Sequence, residues 1–200
     1  MRIKLFITAL ACAFLVLPLG AQNSAKIKEI RQAYAKAVEM TQYDEPLART
    51  EMGITVHRNV PGIGLQNKKI EFFGTDRIDE SQDYKTVYDV RFIRISYNVA
   101  ARKYYEEYLF DENGEAMFFF CKYDGYYGEN GSKEEKRYYY DNRDLISYSY
   151  KATDAKTGEA LSKDNAPDLF AENDGKDDYA DHLLDFDSYY FLFSSAMNRD

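Results

Sequence analysis

The stretch from Tyr84 to Tyr150 constrains this chain most, because aromatic residues recur along it at the alternating spacing of β-strands. It holds 14 of the 19 tyrosines and 5 of the 13 phenylalanines. Aromatic residues are enriched in strands, where their rings pack across neighbouring strands. The stretch therefore predicts an antiparallel meander of tyrosine-rich strands.

Two turn signals divide the stretch into hairpins. Asn113-Gly114 predicts a tight turn in which both central residues adopt positive φ. The turn from Asp141 to Asp144 lacks glycine, but Asn142 tolerates the left-handed conformation. Between the two turns, the run from Ala116 to Cys121 is apolar at odd and even positions alike. This pattern predicts a central strand that is covered on both faces.

A further strand is predicted from Thr86 to Val99, and its apolar residues change phase partway along. Tyr88 and Val90 lie on one face with Phe92, whereas the apolar residues from Ile93 onward fall on the other face. A β-bulge near Phe92 and Ile93 would reconcile the two halves.

Helical spacing flanks the strands. It predicts a helix over residues 24–40 with Ser24 as its N-cap, and a second helix over residues 177–197. Between them we predict a sheet over residues 52–152 and a loop over 153–176 with one helical turn from Pro167 to Glu172. The fold class is therefore α+β: an antiparallel meander of about six to eight strands with both helices packed on one face.

The first 21 residues have the pattern of a secretory signal peptide. Arg2 and Lys4 precede an apolar run, and Gly20-Ala21 supplies small residues at its end. An uncleaved anchor is the alternative, although the run is short for a transmembrane helix, which needs about 20 apolar residues. Lipid attachment at Cys12 is disfavoured because the apolar run continues past it. We therefore predict export to the periplasm or the exterior, with residues 22–200 as a single domain that is not inserted in the membrane.

The charge balance limits the partners of this domain. The chain carries 26 Lys and Arg against 34 Asp and Glu, and removal of Arg2 and Lys4 with the signal leaves a formal charge of −10. A strongly anionic surface disfavours nucleic acid and anionic lipid as partners. A glycan, a peptide or an envelope protein stays open as the partner, and the oligomeric state is not predicted.

The residues for catalysis are sparse. The chain has two isolated histidines, His57 and His182, and no nucleophile or phosphate-binding motif. We predict no cofactor and no zinc site, because two histidines and one remaining cysteine do not complete a tetrahedral site. Glu106 and Glu107 point to opposite faces of a strand, so they cannot form a general acid/base pair with each other. We expect them to be solvated or paired with neighbouring basic residues. Calcium binding by the acidic stretch from Asp164 to Asp187 is a minor alternative.

The tyrosines that share strands with charged residues predict one wetted sheet face on which aromatic rings contact sugars or peptides. The leading hypothesis is a non-enzymatic exported binding module. The alternatives are a glycan-directed hydrolase that uses strand carboxylates and a purely structural or assembly protein. The candidate ligand-binding residues are Tyr104, Tyr105, Tyr108, Tyr138, Tyr140, Tyr148 and Tyr150.

The paired segments Tyr108-Leu-Phe-Asp-Glu-Asn-Gly-Glu and Tyr139-Tyr-Asp-Asn-Arg-Asp-Leu-Ile-Ser-Tyr resemble the Tyr-Asp (YD/Rhs-like) and MORN-variant hairpin repeats. These repeats occur in small exported bacterial proteins of unknown function. The resemblance covers about a quarter of the chain, and the second segment departs from the pattern because it lacks the glycine. It implies stacked β-hairpins and an envelope or surface location, and it brings no catalytic residues.

Overall fold

Every strand of the sheet pairs antiparallel with the strand that follows it in the chain, which confirms the predicted meander. The computed structural model describes residues 19–42, 50–173, 175 and 179–198. The strands are β1 (Thr50–Val60), β2 (Gly64–Asp79), β3 (Lys85–Val99), β4 (Arg102–Phe110), β5 (Ala116–Gly125), β6 (Ser132–Asp141), β7 (Asp144–Asp154) and β8 (Ala160–Leu161). The helices are α1 (Leu19–Met40), α2 (Pro167–Glu172) and α3 (Tyr179–Met197).

The two predicted hairpin turns reverse the chain in different ways. Asn142 and Arg143 both adopt positive φ, 49° and 68°, in the turn between β6 and β7. In the turn between β4 and β5 only Gly114 does, with φ of 81°. The prediction that Asn113 would also be left-handed is wrong, because Oδ1 of Asp111 accepts the amides of Asn113 and Glu115 at 2.8 Å and stabilises a longer loop.

The predicted bulge in β3 is confirmed next to Phe92. Phe73 of β2 pairs with Phe92, whereas Gly74 pairs with Val90, so Arg91 has no partner opposite it. The Arg91 guanidinium donates a hydrogen bond of 2.6 Å to the carbonyl oxygen of Asp111. The extra residue turns Val90 and Phe92 toward opposite faces, which explains the change of phase in the sequence.

The helices lie on opposite faces of the sheet, so the prediction that both pack on one face is wrong. Tyr34 of α1 packs edge-on against Phe92 and Phe118, with ring centroids 6.1 and 5.1 Å apart. On the other face, Phe193 of α3 stacks on Phe72 at 5.8 Å. Strands β3 and β5 carry buried apolar residues on both sides, and each side of the sheet therefore needs its own cover.

The central strand β5 confirms the prediction of a doubly covered strand. Phe118 and Phe120 belong to the apolar layer beneath α1, and Phe119 belongs to the layer beneath α3. All three side chains are buried. We call the side of the sheet that packs against α1 the α1 face, and the side that packs against α3 the α3 face.

Element boundaries differ from the prediction mainly at the helices. Helix α1 begins at Leu19, so Ser24 lies inside the helix and does not cap it. Helix α2 confirms the predicted helical turn, whereas the two-residue strand β8 falls in the predicted loop. Residues 1–18 of the predicted signal peptide and the predicted start of the last helix, residues 177–178, lie outside the described residues.

We predict that Gly114 tolerates alanine poorly. Its φ is positive, and a Cβ atom there would lie 2.3 Å from the Tyr190 ring of α3. Gly114→Ala should lower the free energy of unfolding by about 3 kcal/mol, from backbone strain and a clash together.

Gly128→Ala is the matched control for Gly114→Ala in urea unfolding. Gly128 also has positive φ, 70°, but a Cβ atom there meets nothing within 4 Å. It should cost only about 1–2 kcal/mol of strain. Equal losses for the two variants would contradict the packing of Tyr190 on this turn.

Candidate functional site

Three of the seven candidate tyrosines lie in the core. Tyr108, Tyr138 and Tyr140 are at most 1% exposed beneath α3. They have no surface for a ligand to contact, because α3 covers them on the face that was predicted to be wetted. The candidate site is therefore revised to exclude them.

Tyr148 and Tyr150 are half-buried by the segment that follows β8. The Tyr148 hydroxyl donates to the carbonyl oxygen of Asn173 at 3.1 Å. The Tyr150 ring packs edge-on against Phe170 of α2, with centroids 5.0 Å apart. These contacts give both tyrosines a role in holding the chain between β8 and α3 against the sheet.

Tyr104 belongs to a ladder of three stacked rings on the α3 face. Its centroid lies 4.8 Å from that of Tyr97 and 5.8 Å from that of Tyr123, with interplanar angles of 7° and 16°. The Tyr104 ring therefore has a neighbouring tyrosine on each side. A sugar ring that approached this ladder would meet its edge, and the ladder is a poor stacking platform.

Glu106 and Glu107 point to opposite faces, as predicted, but their hydrogen-bond partners are tyrosines. On the α1 face, Glu107 is buried and accepts hydrogen bonds from the hydroxyls of Tyr34 and Tyr105. Burial and the bond to Glu107 raise the pKa of Tyr105 to about 12 and also raise the pKa of Tyr34. Both tyrosines therefore stay protonated as donors, which stabilises the buried carboxylate.

Glu106 has the equivalent arrangement on the α3 face. It accepts from Tyr97 at 2.7 Å and from Tyr108 at 3.1 Å. Burial raises the pKa of Glu106, and the two tyrosine bonds oppose that shift. Nearby, Lys68 donates to the Tyr189 hydroxyl at 2.9 Å and lies 5.3 Å from the Tyr97 ring centroid.

Glu134 of β6 completes the pattern. It is buried and accepts hydrogen bonds from Ser132 at 2.6 Å, Tyr123 at 2.9 Å and Tyr150 at 2.7 Å. Each of the three carboxylates thus binds two tyrosine hydroxyls. Glu106 and Glu107 thus bond tyrosines and not the predicted solvent or basic residues. A strand sequence shows alternation, but it does not show which side chains supply the donors.

An open cleft lies on the α1 face, where the sheet extends beyond helix α1. Its volume is about 550 Å³. Residues of five neighbouring strands line it on this face: Asn67 of β2, Ser96 and Asn98 of β3, Lys103 and Tyr105 of β4, Lys122 and Asp124 of β5, and Lys133 and Glu135 of β6. Four residues that alternate with these also border the cleft, but their side chains point to the α3 face: Tyr97, Tyr104, Tyr123 and Glu134. Tyr105 is the predicted site residue whose ring faces this cleft.

Charged side chains share the cleft with the Tyr105 ring. Nζ of Lys122 lies 4.5 Å from the ring centroid, within the range of a cation–π interaction. Lys133 forms an ion pair with Asp124, and Arg137 bonds Glu135 at 2.9 Å. The cleft thus combines an aromatic floor with fixed positive and negative groups.

A smaller cavity of about 230 Å³ adjoins the cleft between α1 and the sheet. The guanidinium of Arg31 lies 5.6 Å from the Tyr139 ring centroid, and that of Arg137 lies 4.9 Å from the Phe120 centroid. Tyr105 contacts Phe120 edge-on at 6.3 Å and separates the two spaces. Arg137 connects the two spaces, because it lines the smaller cavity and bonds Glu135 of the cleft.

Three lysines of the cleft are absent from the predicted site: Lys103, Lys122 and Lys133. The signal that could have found them is the i, i+2 spacing of Lys103-x-Tyr105, Lys122-x-Asp124 and Lys133-x-Glu135. That spacing puts each pair on one face. Recognition of the shared face also required the register of β4, β5 and β6, which the sequence does not show.

Neither histidine lies in a catalytic arrangement among the described residues. His182 packs on Phe119 with ring centroids 4.0 Å apart, and exposed His57 bonds Asn67 at 2.6 Å. The described residues contain no group of three or more His, Cys, Asp or Glu placed to hold a metal ion. In the part of the chain that is described, no helix has the length and apolar character needed to cross a membrane.

Comparisons with protein-family models, with curated proteins and with solved structures found no match to this chain. The resemblance to YD and MORN-variant repeats therefore stays a prediction.

We predict that the tyrosine–carboxylate bonds stabilise the fold. Tyr123→Phe removes a donor to buried Glu134 and should lower the free energy of unfolding by about 1.5–3 kcal/mol, the usual range for a hydrogen bond to a charged group. Urea unfolding followed by circular dichroism measures this loss.

Tyr140→Phe is the matched control for Tyr123→Phe. The Tyr140 hydroxyl is buried and has no hydrogen-bond partner among the described residues. Its removal should change the free energy of unfolding by less than about 0.5 kcal/mol or raise it. Equal losses of stability in both variants would contradict a stabilising role for the hydrogen bond from Tyr123 to Glu134.

Proposed function

We propose that this protein is an exported, non-enzymatic binding module that holds an extended polar ligand, a glycan or a peptide, in the cleft on the α1 face. The observation that carries the proposal is the position of Tyr105, which forms the floor of an open space lined by residues from five strands. The cleft volume lies within the range of about 300–1,000 Å³ that is usual for ligand sites.

The lining side chains carry polar groups that suit a ligand with hydroxyl or amide groups. Lys103, Lys122 and Lys133 supply donors, and Asp124 and Glu135 supply acceptors. Tyr105 offers an aromatic surface that loses little conformational entropy on contact. Because the cleft crosses the strands and is open to solvent, it suits a chain-like ligand better than a compact one.

The hydrolase alternative has less support. Glu106, Glu107 and Glu134 are each engaged by two tyrosines, so they have few free lone pairs for an incoming substrate or water. In the cleft, Asp124 and Glu135 are bonded to Lys133 and Arg137. The bond to Lys133 lowers the pKa of Asp124, whereas glycoside hydrolysis needs one carboxylic acid with a raised pKa.

The cleft proposal predicts that two adjacent tyrosines behave differently. The purified protein is screened on glycan and peptide arrays, and the Kd of a captured ligand is measured by calorimetry. Tyr105→Ala should raise the Kd about tenfold or more, because it removes the floor of the cleft.

Tyr104→Ala is the control, since this neighbour points to the α3 face and loses stacking contacts of its own. It should leave the Kd within about twofold. If both variants raised the Kd equally, the ligand would bind outside the cleft. A protein that bound nothing on either array would contradict the binding role.

Export is the second part of the proposal. It rests on the basic, apolar and small-residue order of residues 1–21. Expression of the full chain in a bacterial host, followed by N-terminal sequencing of the secreted or periplasmic protein, should give a mature end close to Gln22. An exported protein that still began at Met1 would contradict cleavage.

A further inference from the structure

The two edges of the sheet are built differently. Strand β8 forms one edge and is only two residues long. Strand β1 forms the other edge, spans Thr50–Val60 and pairs with β2 without a register shift. Among the described residues, no strand pairs with the outer side of β1.

The sequence of β1 lacks the usual protection of an edge. Natural edge strands are commonly shortened, bulged, or interrupted by proline or lysine, because their free backbone groups bind other strands. Strand β1 has no proline and no lysine, and its two charged residues, Glu51 and Arg58, lie toward its ends. Its middle is therefore a regular template for an added strand.

We propose that β1 pairs antiparallel with β1 of a second copy about a two-fold axis at Ile54. This inference is independent of the cleft. Two-fold pairing requires a surface that is complementary to itself. In this register Ile54 meets Ile54, and Met52 meets Val56, so the apolar residues of the α3 face pair with one another.

The same register matches the α1 face. Glu51 lies opposite His57, and Gly53 lies opposite Thr55, so no like charges meet. Moving the two-fold axis by one residue, to Thr55 or to Gly53, gives a poorer match between the two strands. It places Met52 opposite Arg58, or Val56 opposite Thr50, and breaks the apolar row. Val56 is 43% exposed, which leaves apolar surface for the partner strand to cover.

Light scattering of the purified protein across a concentration series tests the dimer. The wild-type protein should have twice the chain mass. Val56→Lys puts a charge opposite Met52 and should give a monomer, with circular dichroism confirming that the variant is folded. Ile78→Lys is the matched control, because Ile78 is also exposed but lies beyond the part of β2 that pairs with β1. It should stay dimeric.

Disulfide trapping tests the register separately. In a background with Cys12 and Cys121 replaced by alanine, Ile54→Cys should form a covalent dimer on mild oxidation, because directly opposite Cβ atoms lie about 4.5–5.5 Å apart. Val56→Cys should not, since its two copies are offset by about 13 Å along the strands. A wild-type protein that is monomeric at every concentration, or equal trapping by both cysteines, would overturn the proposal.

Discussion

The fold depends on hydrogen bonds between tyrosine hydroxyls and carboxylates that are buried or half-buried on the sheet. An unpaired charge in such a place would cost several kcal/mol, and each carboxylate here avoids that cost with two hydroxyl donors. Tyrosine suits this task because one side chain supplies both apolar packing area and a donor at its tip. The density of tyrosine in the sequence thus has a structural cause: Glu106, Glu107 and Glu134 each require a pair of them.

This role of the hydroxyls changes where a ligand can bind. The tyrosines on the α3 face are occupied by the helix, by one another or by carboxylates, and the chain after β8 covers the rest of that row. Helix α1 leaves the far end of its own face open. Function is therefore expected where the sheet extends past α1, and there the Tyr105 ring shares the open face with lysine, amide and carboxylate side chains.

Local features were predicted well because they depend on neighbours in the sequence. The alternation from Ala116 to Cys121 identified a doubly covered strand, and the change of phase near Phe92 identified the bulge at Arg91. The positions of the helices were not predictable in the same way. Alternation shows that a strand has two apolar sides, but it does not show which helix covers each side. The burial of Tyr138 and Tyr140 follows from that missing step.

The proposed dimer and the proposed cleft are related by the geometry of the sheet. A two-fold axis that pairs two antiparallel edge strands is perpendicular to the sheet, so the α1 faces of both copies lie on the same side. The two clefts would then open toward the same surface, one on each half of a continuous sheet. A chain-like or surface-bound ligand could engage both clefts at once, and the second contact would be intramolecular. Weak binding at each cleft would in that case be compatible with firm attachment of the dimer.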